Sequence, residues 1–258
     1  MSDIPLASIV ENLRTKFVGH NILYYPVTSS TMDMARQAVR DGAAEGTIVV
    51  ADQQTAGRGR LGRKWLSPPD SSILLSIILY PRLHELPRLN MAACLAVARS
   101  IEKATGLKPT IKWPNDVLID GKKVSGILIE SDVQRDAVNY VIVGLALNVN
   151  LDPSSIPEIA ETATSLKQVL GHDVSRLEML ESLLAEFEKL YSTMRRGEPI
   201  DEEWRGRLET LGKEVTVTCG QDVREGYAES VDEDGNLLLR LEDGRLMTIA
   251  AGDVTLRA

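Results

Sequence analysis

The feature that most restricts the fold is a change of texture near Gly212. Ahead of it, apolar residues recur now at helical and now at strand spacing, the pattern of an α/β (α+β) layer structure. Beyond it only short β-rich runs remain: Glu214–Cys219, Tyr227–Val231, Asn236–Leu241 and Arg245–Ala250, with Val254–Leu256 as a fifth. Asp234-Gly235 and Asp243-Gly244 are turn pairs between them. The expected organisation is an N-terminal helix or extension over 1–21, a large domain over 22–211 and a small β-barrel over 212–258.

Within the first part, Leu6, Ile9, Val10, Leu13 and Phe17 space a helix over Leu6–Phe17, with Gly19 after it. Ile22–Thr28 then predicts a strand, and Thr31–Asp41 a helix capped by Ser29 or Ser30 and closed by Gly42. Thr47–Ala51 and Ile73–Leu79 read as buried strands, and Arg88–Thr105 as a helix stopped by Gly106. Thr110–Trp113 and Val117–Ile119 are short strands before an Asp120-Gly121 hairpin turn; Lys123–Ser131 and Tyr140–Asn148 complete a mixed sheet. Leu177–Met194, capped by Ser175, and Asp201–Leu208 are helices.

Composition narrows the function classes. The net charge is −8 and the barrel carries five basic against ten acidic residues, so a basic nucleic-acid face is not expected. Only Met1–Asn21 precedes the first strand, too little for a helix-turn-helix module, so no DNA partner is expected. No apolar run approaches the roughly 20 residues of a membrane span, and no leader pattern opens the chain. A cytoplasmic protein fits, with Cys94 and Cys219 expected as two buried thiols. His20, His84 and His172 lie far apart and form neither a metal cage nor a triad.

Three segments carry chemistry. Asp52–Ser72 is a long irregular stretch between two strands, as functional loops are, and holds Gly57-Arg58-Gly59-Arg60-Leu61-Gly62-Arg63-Lys64-Trp65. Its arginines offer forked donors to carboxylate and phosphate oxygens, and its glycines permit close backbone approach. Its spacing fits neither a Walker loop nor a dinucleotide fingerprint, and a solvated basic loop would read the same. Lys112-Trp113-Pro114-Asn115-Asp116 puts an amide and a carboxylate at a strand end, where they could meet Mg²⁺ or a proton, or merely build an Asx turn. Lys123 opens an apolar strand in which Gly126 suggests close approach of a ligand or a backbone. Ser30-Thr31 alone reads as an N-cap.

In order and spacing, Ser30-Thr31, Gln54 to Arg60, Lys112 to Asp116, Lys123 to Leu128, Val143-Gly144 with Asn148-Val149-Asn150, and Thr164-Ser165-Leu166 resemble the biotin–protein ligase family. With the final barrel, the resemblance runs from about Ile22 to Ala258. It implies a catalytic domain akin to class II aminoacyl-tRNA synthetases followed by an SH3-like barrel. It also implies ATP-dependent activation of biotin to biotinyl-5′-AMP, then transfer to one lysine of a biotin carboxyl carrier protein. By the resemblance Ser30, Thr31 and Gln54 hold the ureido end of biotin, and Gly57, Arg58, Gly59 and Arg60 form a loop over the intermediate. Lys123 meets the biotin carboxylate and α-phosphate, and Asp116 receives the acceptor proton. Trp65 packs at the ligand loop, Gly126 and Gly144 line the site, and Asn148 contacts the adenylate. Asn115 is the candidate contact for Mg²⁺ brought by ATP.

Met32, where the family commonly has Asn, and Ala146, where a second glycine is usual, depart from the pattern. The loops Asp52–Ser72 and Asp152–Thr164 are expected to order on ligand binding. The resemblance leaves monomer and homodimer open. A lipoate ligase or octanoyltransferase shares the catalytic fold, and an inactive scaffold is a third reading. The Gly-Arg-Gly-Arg loop and the barrel speak for biotin, and the charge set Arg58, Arg60, Asp116 and Lys123 for activity.

Overall fold

All eight positions of the strand Ser72–Leu79 are buried, so it must lie inside a sheet covered on both faces. The structure, a computed structural model, describes residues 13–256 and shows that arrangement. The strands are β1 (Ile22–Thr28), β2 (Ile48–Gln54), β3 (Ser72–Leu79), β4 (Thr110–Lys112), β5 (Asp116–Ile119), β6 (Lys122–Gln134) and β7 (Ala137–Asn148). They form one seven-stranded sheet in the order β1-β2-β3-β7-β6-β5-β4. β1 and β2 run parallel and every other pair antiparallel, so the sheet is mixed as expected.

Ile73, Leu75, Ile77 and Leu79 point to the face covered by α2 (Leu86–Thr105) and α4 (Arg176–Arg195). The other face takes Met32, Ala35 and Ala38 of α1 (Thr31–Arg40) against Val49, Ile78 and Ile142. The helix ends follow local chemistry. Ser30 accepts from Met32 N, Ser175 from Glu178 N, and Gly106 (φ 75°) closes α2. Two short helices, α3 (Leu166–Leu170) and α5 (Asp201–Arg207), complete the layer.

The five remaining strands, β8 (Glu214–Cys219), β9 (Asp222–Val231), β10 (Leu237–Arg240), β11 (Leu246–Ile249) and β12 (Asp253–Leu256), form a separate antiparallel sheet, ordered β11-β10-β9-β8-β12. It seats on the larger part through the buried Trp113, whose indole Nε1 donates to Gly235 O at 2.8 Å. Among the described residues no helix is long and apolar enough to cross a membrane.

Some expectations need correction. Residues 6–12 of the helix expected over Leu6–Phe17 lie outside the described residues, and residues 13–17 are not helical. The buried carboxylate of Glu188 accepts the backbone N–H groups of Lys16, Phe17 and Val18, and Thr15 Oγ1 donates to Val18 O, so these donors and acceptors are spent outside a helix. β2 runs on to Gln54 because Gln53 and Gln54 pair with Val27 and Thr28 of β1. β6 and β7 meet at Arg135-Asp136, both at positive φ, a tight turn without the glycine that would have signalled it. α3 was not foreseen, and β9 starts at Asp222 rather than at Tyr227. Of the two free cysteines only Cys94 is buried; Cys219 is half-buried.

Candidate active site

The parallel register of β1 and β2 continues past the strand ends, with Thr55 N donating to Thr28 O and Ala56 N to Ser29 O, each at 2.9 Å. This delivers the glycine-rich segment to the N-terminus of α1. The segment then folds on itself: Gly59 N donates to Arg63 O (2.7 Å) and Trp65 N to Gly57 O (2.9 Å). Leu61 (φ 55°) and Gly62 (φ 73°) form its tip. Gly57 has no room for a side chain, since a Cβ would lie 2.9 Å from Trp65 O and 3.0 Å from Gln54 Nε2.

Beneath this loop is a cavity of about 130 Å³ whose walls bring together most of the expected residues. One end is polar: Ser30, Thr31 and Gln54, with Gln54 Oε1 accepting from Thr31 N (2.7 Å) and Thr31 Oγ1 (3.1 Å). Ser76 Oγ donates to Thr31 Oγ1 at 2.8 Å, fixing that hydroxyl from below. Ser30 is both cap and wall, since its Oγ takes Met32 N at 3.3 Å while the residue lines the cavity. The floor is Gly144, where a Cβ would lie 2.7 Å from Met32 Sδ. Met32, the departure from the family pattern, therefore fills the space that Gly144 leaves.

The other end is charged. Lys123 Nζ lies 2.7 Å from Asp116 Oδ1 and 5.4 Å from the Trp65 ring centroid, over Gly126, where a Cβ would lie 2.9 Å from Trp65 Cζ3 and 3.0 Å from Lys123 Cε. The strand pairing sets this up, because Asp116 of β5 faces Gly126 of β6 across the ladder and leaves the lysine free to reach over it. Trp113-Pro114, joined by a cis peptide, turns the chain into β5 and leaves Asn115 beside the loop. Asn115 Oδ1 accepts from Arg60 Nη1 (2.9 Å) and its Nδ2 donates to Ile127 O (2.7 Å).

The arginines divide. Arg58 Nη2 pairs with Asp33 of α1 at 2.7 Å, and Arg36 shares that carboxylate at 2.8 Å. Arg58 hydrogen bonding, followed by that of Arg36 and against the cost of burial, holds Asp33 below the usual carboxylate range. Arg60 points the other way, with Nη2 donating to Gly252 O of the small sheet at 2.8 Å, and Arg63 pairs with Asp253. Burial draws the Arg60 guanidinium below its ordinary value, against the pull of Asp253 and Asp116. Asp33, Asp253 and Arg63 were not foreseen as site residues. Arg63 lay within the recognised glycine-rich segment and Asp33 three positions after the helix cap, whereas nothing in the sequence pointed to Asp253.

Asn148 stands apart from this cavity. It lines a second, open recess of about 520 Å³ that shares Trp65, Asp116 and Lys123 with the first. Its Nδ2 donates to Thr164 O (3.0 Å), while Oδ1 is buried without a protein partner. The loop 152–165 closes this recess through Lys123 N to Thr162 O (2.9 Å) and Thr164 N to Lys123 O (2.8 Å).

The described residues gather no group of three or more His, Cys, Asp or Glu side chains that could cage a metal. Asn115 is engaged by a guanidinium and Asp116 by an ammonium, a setting that repels a dication. The donor set thus does not fit a resident Mg²⁺.

Comparison with known proteins shows the family. Residues 24–148 match the Biotin/lipoate A/B protein ligase family, and residues 210–257 match the Biotin protein ligase C terminal domain. The chain is 39% identical over 249 residues to the Bifunctional ligase/repressor BirA of Bacillus subtilis, covering 95% of this chain and 76% of that protein. It is 35% identical over 237 residues to the Biotin--[acetyl-CoA-carboxylase] ligase of Mycobacterium tuberculosis, covering 88% and 85%. Among solved structures, the Biotin protein ligase from Aquifex aeolicus in complex with biotin and ATP superposes with a TM-score of 0.78 at 32% identity, covering 92% of this chain and 98% of that one. The Leishmania major enzyme in complex with biotinyl-5-AMP does so with a TM-score of 0.64 at 25% identity, covering 90% and 99%.

Proposed function

This chain belongs to the biotin–protein ligase family, and on that premise we propose how its own residues carry the family's reaction. The family makes biotinyl-5′-AMP from biotin and ATP and transfers the biotinyl group to a carrier lysine. In the first step an oxygen of the biotin carboxylate forms a bond to the α-phosphorus, and the bond to the pyrophosphate oxygen breaks. In the second, the carrier amine attacks the biotinyl carbonyl carbon, the amide forms and AMP leaves.

The observation that carries the residue assignment is the Lys123–Asp116 pair at 2.7 Å beside Trp65, at the charged end of a cavity whose other end is Ser30, Thr31 and Gln54. A ureido group needs hydrogen-bond partners and a carboxylate needs cations, and the two ends supply them in that order. Gln54 Nε2 and the Ser30 and Thr31 hydroxyls hold the ureido end. Gly126 lets Trp65 and Lys123 stand close over β6, and Gly144 lets Met32 lie close against β7, so that these side chains wall the ligand's space. Lys123 leaves Asp116 to neutralise the meeting of carboxylate and α-phosphate, whose mutual repulsion is the main electrostatic obstacle to the first step. Arg58 leaves Asp33 to add a second cation, while Arg60 and Gly59 keep the loop over the intermediate. The biotin carboxylate is already ionised at neutral pH, so no general base is needed here.

The same exchange readies the second step. Once Lys123 has turned to the phosphate, Asp116 is free to accept a proton from the incoming carrier lysine, which must be neutral to attack. Asn148, with its orphaned Oδ1 in the adjoining recess, contacts the adenylate. Mg²⁺ would arrive with ATP. The catalytic part ends at Leu211 and the small domain begins at Gly212, and the partner is a cytoplasmic carrier. The edge strand β1 leaves room for a homodimer, whereas the edge of β4 is covered by residues 208–210.

The test is incubation with biotin, Mg-ATP and a biotin carboxyl carrier domain, followed by mass spectrometry of the carrier. A biotinyl increment on one lysine supports the reading. An unmodified carrier with a full complement of active controls removes it.

A further inference from the structure

Arg176 is the first residue of α4 and its side chain is fully buried. Neither helix formation nor packing accounts for it: a cation in the first turn opposes the helix dipole, and a buried guanidinium carries a large desolvation cost. Its partners are the two ends of the glycine-rich loop. Nη1 lies 3.5 Å from Asp52 Oδ1 near the end of β2, where the chain departs, and donates to Ser72 O (3.2 Å) where β3 begins. Nη2 lies 3.0 Å from Asp70 Oδ1, two residues before β3. Asp52 is held from its other side by the Tyr24 hydroxyl.

A second observation bears on the same point. Asp70 sits at φ 57°, a left-handed conformation that L-residues other than Asn and Asp seldom adopt, so the chain's return into β3 is held in a bent form. The start of α4 is in turn fixed to the strand end beyond the loop, since Asn150 Oδ1 accepts from Val174 N and Asn150 Nδ2 donates to Val174 O, each at 2.9 Å. Asn150 N donates to Ser71 O at 2.7 Å, which closes the circuit.

We propose that Arg176 is a positioning residue that staples both ends of the ligand loop 55–71 through Asp52 and Asp70, and so sets the height at which Arg58, Arg60 and Trp65 stand over the cavity. This rests on the reading of that loop as the cover of biotinyl-5′-AMP. Pinning both ends limits the arrangements the loop must give up on closing, so the staple acts on ligand retention more than on the chemical step. Arg176 touches no substrate in this scheme.

The test compares three variants. Asp70→Asn keeps the shape and the left-handed preference but removes the charge at a half-exposed position, so the fold should survive. Arg176→Lys keeps the charge but cannot fork to both ends. Glu188→Ala, at the carboxylate that holds residues 16–18 far from the loop, supplies a variant that is merely destabilised. Expected for Asp70→Asn and Arg176→Lys is a rise of about tenfold in the KM for biotin. In the absence of carrier, AMP should also accumulate faster from escaped and hydrolysed adenylate, and trypsin should cut faster after Arg58, Arg60, Arg63 and Lys64. Glu188→Ala should lower the melting temperature and leave all three unchanged. Wild-type KM and wild-type tryptic rates in Asp70→Asn and Arg176→Lys would overturn the proposal. If instead biotin and ATP fail to protect the wild-type loop from trypsin, the reading of the loop as a ligand cover fails and not the staple.

Discussion

Gly126→Ala separates stability from catalysis in this site. The residue lies in β6 at an ordinary strand φ, so alanine is allowed by the backbone and even favoured over glycine by about 0.5–1 kcal/mol. The added methyl, however, would lie 2.9 Å from Trp65 Cζ3 and 3.0 and 3.1 Å from Lys123 Cε and Nζ. Real contacts of this kind need about 3.5 Å or more, so both side chains must shift outward, and both can, because Lys123 is about one-third exposed. Moving the ammonium by the half ångström this requires, from about 3 to about 3.5 Å from an anionic oxygen, weakens their attraction by about 0.8 kcal/mol at an effective dielectric of about 20, a factor of about four. Two anions, the biotin carboxylate and the α-phosphate, depend on that charge, so kcat/KM for biotin should fall about fifteenfold. The melting temperature should move by no more than about 5 °C. Biotin-dependent pyrophosphate release and thermal unfolding on the same preparation read both. Folded protein with kcat/KM within about threefold of wild type would refute the placing of Lys123 over Gly126 as the source of the rate, because the clash cannot be relieved without moving it.

Lys123→Ala should lower adenylation by about 10²–10³-fold, the range for loss of one preorganised charge donor, with circular dichroism unchanged; undiminished pyrophosphate release from folded protein would contradict its role. Asp116→Ala should impair single-turnover transfer from preformed biotinyl-5′-AMP at least as much as it impairs adenylation, and unchanged transfer would take the proton-acceptor role from it. Away from the site, Glu203 is held below its ordinary value of 4.5, first by its hydrogen bond from Arg99 on α2. A depressed carboxylate contributes stability above its unfolded value and loses it as pH falls through the folded one. The stability gap between wild type and Glu203→Gln should therefore be constant from about pH 7 to about pH 5 and shrink below about pH 4.5. A gap independent of pH in urea unfolding would show that the pair does not carry it.

Much of the architecture was legible because local and tertiary signals agree. The apolar run in β3, interrupted only by Ser76, read as a buried strand and is one, and Ser30, Ser175 and Gly106 stand at helix ends where their chemistry puts them. The misses have physical causes. The residues before β1 are shaped by Glu188, which is distant in sequence, and the β6–β7 turn places Arg and Asp at positive φ where a glycine signal would be sought. In the site, the motif residues were visible as types but not as partners. No pattern in the sequence announces that Asp33 holds Arg58, that Gly252 and Asp253 of the small sheet hold Arg60 and Arg63, or that Asn115 is engaged by Arg60. Those contacts join segments far apart in the chain, and only the fold brings them together. Asn148, expected at the adenylate, lies in the adjoining recess and not in the cavity with Ser30 and Gln54.

In the proposed function this cavity and its charged mouth activate biotin. ATP–pyrophosphate exchange on the purified protein, with biotin and with lipoate as separate substrates, tests it most directly. The account predicts exchange that depends on biotin and is absent with lipoate. Exchange with lipoate alone, or with neither acid, would contradict it.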